Sequence, residues 1–339
     1  MIDAVGPCRN EERTAIPALA SQPGSGPALS IVAPCFNEEA CLNEFIRRTS
    51  AAATAAVGND YEIVLVDDGS KDRTWDRMQS CAAADARVVA IRLSRNFGHQ
   101  RALTAGLMHC RGARVLCIDA DLQDPPELVG KMMALMDAGA DVVYGQRRMR
   151  RGETRFKRKS AALFYRMFRY LIDFNIPLNT GDFRLMDRRV VEVFRTMPEE
   201  ARFVRGMINW IGMTQVALVY DRDARHAGET GYSLGRMYRL ALDAITGFSV
   251  APLRLASYCG ALIGVASLLM LTYTIGSWLV GQTVSGWTSL ASIVLFLGSV
   301  QLLILGIMGE YLGRLFMQSK GRPLFVVEQV VQQRRPGPP

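Results

Sequence analysis

The sequence predicts an α/β protein with a doubly wound, mainly parallel sheet in its front part and a pair of membrane-spanning helices behind it. Three observations carry this. Five short apolar, β-branched runs between Leu29 and Tyr144 alternate with longer helical patterns rich in Ala, Leu, Met, Glu and Arg. Each run is continuously rather than alternately hydrophobic, as expected of strands covered on both faces. From Leu255 to Gly309 there are 55 residues without one Asp, Glu, Lys or Arg, enough for two helices rising about 1.5 Å per residue through a hydrocarbon core about 30 Å thick.

The elements follow in order. Residues 1–27 contain Glu11, Glu12 and several Pro and Gly but no apolar core, so they read as a disordered leader rather than a signal peptide. The predicted strands are Ser30–Ala33, Glu62–Val66, Arg87–Ile91, Arg114–Ile118 and Asp141–Tyr144. The first four end in polar signatures: Pro34-Cys-Phe-Asn-Glu-Glu39, Asp67-Asp-Gly-Ser70, Ser94-Arg-Asn-Phe-Gly98 and Asp119-Ala-Asp-Leu-Gln-Asp124. Alone, Asp-Gly-Ser is a turn and helix cap. Four such endings on one edge of a sheet define a site, because open α/β sheets bind ligands beyond the carboxyl ends of their strands. Neither GxGxxG nor GxxxxGK[ST] occurs, so neither a dinucleotide fingerprint nor a Walker loop is expected.

Asp119 and Asp121 bring two carboxylates to one turn, where they would repel each other. A hard cation, Mg²⁺ or Mn²⁺, relieves this and keeps most of its ligand positions for water and phosphate oxygens, which suits a nucleoside diphosphate. Asp124 precedes Pro125-Pro126-Glu127 and is expected to cap the next helix. The three histidines form no HExxH and the seven cysteines no CxxC, so reduced thiols are expected, without zinc or a disulfide framework.

Five stretches in this order, Pro34-x-x-Asn-Glu-Glu39, Asp67-Asp-Gly-Ser-Lys-Asp72, Arg95-Asn-Phe-Gly98, Asp119-Ala-Asp-Leu-Gln-Asp-Pro-Pro-Glu127 and Gly181-Asp-Phe-Arg-Leu-Met186, followed by paired spans, resemble the family 2 glycosyltransferases of GT-A fold that load polyprenyl phosphates. The bactoprenol (undecaprenyl-phosphate) glucosyltransferases are the nearer likeness and the dolichol-phosphate mannose synthases the more distant. The resemblance runs from Leu29 to Arg322-Pro323. It implies a UDP-sugar donor held by Pro34, Asn37, Glu39, Asp67, Asp68, Arg95, Gly98 and Asp119. It implies a metal on Asp119, Asp121 and Gln123, with Asp119, Asp121, Asp182 and Arg147 as the catalytic set. For the acceptor phosphate it implies Arg147, with Lys157, Arg158, Ser160 and Arg225 beside it. Many relatives carry a lysine where this chain has Gly231, which leaves one phosphate contact to be supplied by Arg225 or Arg236. The implied reaction is inverting transfer of a sugar, glucose first, to undecaprenyl phosphate; mannose, an N-acetylhexosamine or a modified arabinose are the other sugars.

Arg147 to Lys159 carries eight basic residues and one acidic one, a balance of +7 against +8 for the whole chain. It leads into a predicted amphipathic helix at about 155–174, with Leu163, Phe164, Met167, Phe168 and Leu171 on one face. Such a helix belongs in a membrane interface; the neighbouring spans argue against nucleic acid as its partner. A second amphipathic segment, 234–251, precedes spans expected at about 253–280 and 287–313, with Trp278 and Trp287 as interfacial anchors. The hairpin loop lacks Lys and Arg while both flanks have them, which predicts that both termini and the front part, 28–233, lie in the cytoplasm; the resemblance implies that this part is catalytic and the membrane a bacterial inner membrane. Residues 317–339 are expected as a short cytosolic tail. Gly260, Gly264, Gly298 and Gly306 suit close helix packing and a dimer or tetramer. Two rival readings are a processive polysaccharide synthase, against which the chain lacks QxxRW and further spans, and a non-catalytic scaffold, against which Asp119, Asp121 and Gln123 are intact.

Overall fold

The structure is a computed structural model and describes residues 26–148, 180–221, 251–280 and 286–333. Strands β1 (Leu29–Cys35), β2 (Tyr61–Asp67), β3 (Val88–Leu93), β4 (Arg114–Cys117) and β5 (Val142–Arg147) lie on the five apolar runs. Three more, β6 (Thr180–Asp187), β7 (Gln215–Tyr220) and β8 (Val327–Gln332), complete one sheet among the described residues, in the order β7-β5-β6-β4-β1-β2-β3-β8. The β4-β1-β2-β3 block is parallel, and β5 runs parallel to β7. β6 is antiparallel to both β4 and β5, and β8 is antiparallel to β3.

Helices cover both faces. On one lie α1 (Leu42–Val57), α2 (Thr74–Ala84) and α4 (Val129–Asp137), whose Phe45, Met78 and Met132 pack on Ile31, Ile63 and Leu65. On the other lie α3 (His99–His109), α5 (Arg188–Thr196) and α6 (Val204–Ile211), whose Leu103, Phe194 and Met207 pack on Val32, Val64 and Ile91. Alternate residues of each strand therefore feed two cores, which is why the strand runs read as unbroken apolar stretches. α3 lies unusually close to the sheet. A Cβ at Gly106 would stand 2.2 Å from Val32 Cγ1 and 3.2 Å from Val66 Cγ2, so only glycine permits this approach.

Pro34 occupies a central strand without breaking it. The β1–β4 ladder ends at Val32↔Cys117, with the Ile118 N–H donating to the Val32 carbonyl. Pro34, two residues on and facing the same side, lies beyond the end of β4, where no ladder donor is required.

Two sequence expectations are corrected. Asp124 caps no helix: a short 3₁₀ turn, Pro126–Leu128, intervenes before α4, and Pro125 stands at its N-terminus without a side-chain cap. Asp124 is instead fully buried against Arg147 and Tyr220. Nor is the C-terminal segment a free tail, since β8 forms the sheet edge beside β3 through pairs such as Ile91↔Val330.

α7 (Ala251–Leu279) and α8 (Trp287–Ser319) follow β7 in the chain. Within them Pro252–Ser277 and Phe296–Ser319 are long and apolar enough to cross a membrane, and only 6% and 0% of their most apolar windows are buried. Core helices of a soluble protein would bury such surface; these expose it, as with Leu262, Leu268, Leu302 and Leu312. α8 runs past the expected end at 313 to Ser319, and its two charges in the last turns, Glu310 and Arg314, pair at 3.0 Å. The side chains of Trp278 and Trp287 lie outside what the structure describes, as do the helices expected at 155–174 and 234–250.

Candidate active site

The carboxyl ends of β1, β2 and β3 meet in a loop cluster tied by side-chain bonds. Asn37 has φ of 57°, and it bridges to the second loop twice: its N–H donates to Ser70 Oγ at 3.0 Å and its Oδ1 accepts from Lys71 N–H at 2.9 Å. The Glu39 carboxylate accepts from Arg73 N–H and pairs with Arg77 at 3.3 Å. Asp68 accepts from the N–H groups of Phe97 (2.7 Å) and Gly98 (2.9 Å), fixing the third loop. Gly69, at φ of +69°, lets that loop close in: a Cβ there would lie 2.7 Å from the Arg95 carbonyl carbon and the Asn96 nitrogen. The Arg95 guanidinium lies over the Phe97 ring, 4.2 Å from its centroid.

Asp67 differs from Asp68. It is fully buried; Oδ1 accepts from Ser70 N–H at 3.1 Å, while Oδ2 has no hydrogen-bond partner among the described residues and Arg92 Nε stands 3.8 Å away. Burial lifts its carboxyl above the ordinary range against the pull of Ser70 and Arg92. A buried acceptor without a partner is costly unless a ligand supplies the donor.

The second half of the site forms where β4 and β5 end and the antiparallel β6 begins. Leu122 stands at φ of 59° and is 2% exposed. Left-handed backbone costs a leucine on the order of 1–2 kcal/mol, and here it turns the chain between Asp121 and Gln123, whose N–H donates back to Asp121 Oδ1 at 3.1 Å. Burial, with Asp182, Asp124 and Asp121 nearby, pushes the Asp119 carboxyl up to about 6 although His99 opposes it.

His99 joins the halves. It follows Gly98 at the start of α3, and its Nε2 lies 3.2 Å from Asp182 Oδ2 and 3.5 Å from Asp119 Oδ1. Burial lowers its pKa, but the Asp182 bond and the Asp119 charge outweigh that and raise it to about 8. Asp182 also accepts from Gln100 Nε2 at 2.8 Å and faces Arg205 at 3.5 Å. Burial works against its charge, yet the His99 bond, Arg205 and Arg184 hold it well below the usual carboxylate range. Arg184 is near enough to act on the Asp182 charge but donates to the Gly181 carbonyl, and Arg188 pairs with Glu192.

Arg147 leaves β5 and reaches the Asp124 carboxylate at 3.1 Å. The structure thus brings together Asp119, Asp121, Gln123, Asp182 and Arg147 at one edge and Pro34, Asn37, Glu39, Asp67, Asp68, Arg95 and Gly98 beside them. Lys157, Arg158, Ser160, Arg225 and Gly231 lie outside the described residues. Sequence reasoning missed His99, Gln100, Arg205 and Tyr220. His99 alone had a signal, its place directly after a polar strand ending.

A mixed sheet of this order, with an Asp-x-Asp turn after β4 and a paired-carboxylate edge, defines a GT-A glycosyltransferase. The profile of glycosyl transferase family 2 matches residues 30–194, and that of the GtrB C-terminal hairpin matches residues 251–315. An uncharacterized glycosyltransferase YkcC of Bacillus subtilis is 45% identical over 88% of this chain and 93% of its own. The bactoprenol glucosyl transferase of Shigella phage SfV is 39% identical over 90% of this chain and 99% of its own. Among solved structures, glucosyl-3-phosphoglycerate synthase from Mycobacterium tuberculosis is 21% identical with a TM-score of 0.44, covering 65% of this chain and 78% of that one. The chain belongs to glycosyl transferase family 2, in the branch that carries the GtrB C-terminal hairpin.

Proposed function

We propose that the protein transfers glucose from UDP-glucose to undecaprenyl phosphate on the cytoplasmic face of a bacterial membrane. The observation that carries this reading is the 39% identity to a bactoprenol glucosyl transferase along 99% of that protein, hairpin included. In this reading a phosphate oxygen of the lipid attacks the anomeric carbon, the bond from that carbon to the diphosphate oxygen breaks, configuration inverts, and UDP leaves.

The donor residues suit a nucleotide. Asp67 Oδ2, buried and without a hydrogen-bond partner among the described residues, offers an acceptor to a base N–H or a ribose hydroxyl. Asp68 keeps the Arg95–Gly98 loop in place for the same ligand.

The Asp-x-Asp turn fits a divalent cation. Among the described residues no three His, Cys, Asp or Glu side chains form a closed cage, whereas two carboxylates and the Gln123 amide match Mg²⁺ or Mn²⁺ completed by diphosphate and water. Burial first, and then crowding by Asp182, Asp124 and Asp121, raises the Asp119 carboxyl, and such an ion would relieve the crowding. When bound, it would neutralise charge on the departing diphosphate. Asp119, Asp121 and Gln123 would hold it.

Asp182 stays ionised and tied to His99 and Gln100, so in this reading it orients the acceptor. A phosphate monoester, with its second pKa near 6, needs little help in losing a proton. Arg147, and Lys157, Arg158, Ser160 and Arg225 beyond the described residues, would receive the lipid phosphate.

The test is radiolabel transfer from a panel of UDP-sugars to undecaprenyl phosphate by purified protein, with Mg²⁺, Mn²⁺ or EDTA and with Asp121→Ala. Metal-dependent labelling by UDP-glucose, lost in the variant, is expected. Labelling from another UDP-sugar instead would overturn glucose, and nucleotide binding without any transfer would favour the scaffold reading.

A further inference from the structure

Arg147 is held by two residues from distant parts of the chain. Its Nη2 donates to both oxygens of Asp124, at 3.2 and 3.1 Å, and its Nε donates to Tyr220 Oη at 3.2 Å. The Tyr220 hydroxyl itself donates to Asp124 Oδ1, closing a three-membered ring of bonds. Asp124 comes from the turn that carries Asp119 and Asp121, Arg147 from the end of β5, and Tyr220 from the end of β7. Two glycines make the space. A Cβ at Gly181 would lie 2.8 Å from Arg147 Nη2, and one at Gly145 would lie 2.5 Å from Phe183 and 2.9 Å from Tyr220. Phe183 meets the Tyr220 ring edge-on at 5.6 Å, fixing its plane.

The arrangement is one-sided. Asp124 is 0% and Tyr220 5% exposed, while the Arg147 side chain keeps 25% of its surface open. Nη1 has no hydrogen-bond partner among the described residues. A guanidinium gripped along one edge presents its other N–H groups in a fixed plane, the geometry that binds phosphate oxygens with least loss of side-chain freedom.

Resting on the proposed function, we infer that Tyr220 and Asp124 are positioning residues that lock the Arg147 guanidinium so that its open edge receives the phosphate of the lipid acceptor. In this role they act on the acceptor through Arg147 rather than by direct contact.

The experiment is steady-state kinetics of the full-length protein in lipid nanodiscs, varying undecaprenyl phosphate and UDP-glucose separately. The variants are Tyr220→Phe, Arg147→Lys, their combination and Asp124→Asn. Tyr220→Phe removes one hydroxyl that bonds a cation and an anion, so KM for the lipid phosphate should rise about tenfold, with a much smaller change in KM for UDP-glucose. Arg147→Lys keeps the charge but loses the fork and should raise the same constant at least as far. If Tyr220 acts through Arg147, the double variant should be little worse than Arg147→Lys alone. An unchanged lipid KM in Tyr220→Phe overturns the inference. So does full additivity in the double variant, or a uniform loss in kcat and both KM values with a lowered melting temperature. Should Asp124→Asn fail to fold, Tyr220→Phe and the double variant still decide. A wild type that glucosylates no polyprenyl phosphate overturns the proposed function itself, and this role with it, before any variant is compared.

Discussion

Asp119 and Asp182 show how one pocket shifts two carboxylates in opposite directions. Asp182 lies among His99, Gln100, Arg205 and Arg184 and is held ionised, whereas Asp119 is pushed up to about 6 by burial and its acidic neighbours. A folded-state pKa above the unfolded value means that the ionised carboxylate opposes folding, with the cost growing from about pH 4 and complete above about pH 6. In EDTA at pH 7.5, Asp119→Asn should therefore raise the melting temperature, by on the order of 1–3 kcal/mol of stability, while abolishing sugar transfer. Thermal unfolding beside the transfer assay checks both halves, and a destabilised Asp119→Asn would contradict this account. Gly69→Ala should act through geometry, because its Cβ meets the 95–96 backbone at 2.7 Å and φ is +69°. The expected result is weaker UDP binding by calorimetry, by about tenfold or more, with loss of stability of roughly 1–3 kcal/mol.

At the scale of elements, β1 to β5 were legible because strands buried on both faces leave unbroken apolar runs such as Ile63-Val-Leu-Val66. The polar strand endings were legible for the complementary reason, since carboxylates have no cause to crowd a strand terminus unless something binds there. β6 was visible only as a motif: all of Thr180 to Met186 is buried, but Asp182 and Arg184 interrupt the apolar pattern because Asp182 bonds to His99 and Gln100 and Arg184 to the Gly181 carbonyl rather than to water. β7 and β8 are edge strands, and an edge strand's half-exposed sequence, Gln215-Val-Ala-Leu-Val-Tyr220 or Val327-Glu-Gln-Val-Val-Gln332, carries no sharp period. Asp124 illustrates the limit of local rules. Asp before Pro-Pro is a sound capping signal, and only the long-range approach of Arg147 and Tyr220 redirects it. Two predictions belong here. Gly106→Ala should gain up to about 1 kcal/mol of helix propensity and lose more through overpacking against Val32, for a net loss of roughly 1–2 kcal/mol, read from denaturant melts. Truncation after Arg322 uncovers the β3 edge and should lower the melting temperature and promote aggregation in size-exclusion chromatography.

At the scale of the molecule, the chain places a soluble catalytic fold and an apolar hairpin in series, and the hairpin exposes nearly all of its surface. The Lys and Arg distribution around it predicts a sided arrangement. A cysteine introduced at Thr283 should react with a membrane-impermeant thiol reagent added outside intact cells, and one at Lys71 only after lysis; the reverse pattern would invert the proposed topology. The hairpin and the sheet are not merely consecutive, because the chain returns from α8 to the sheet within a few residues. Phe325 already packs beside His109, with ring centroids 6.5 Å apart, and the Val326 carbonyl accepts from Ser94 N–H at 2.9 Å. Between Ser319 and Phe325 the chain can stretch no farther than about 20 Å. In the proposed function the β3–β8 edge therefore rides on a short mooring line, which would limit how far the pocket can stand from the bilayer that holds a lipid acceptor.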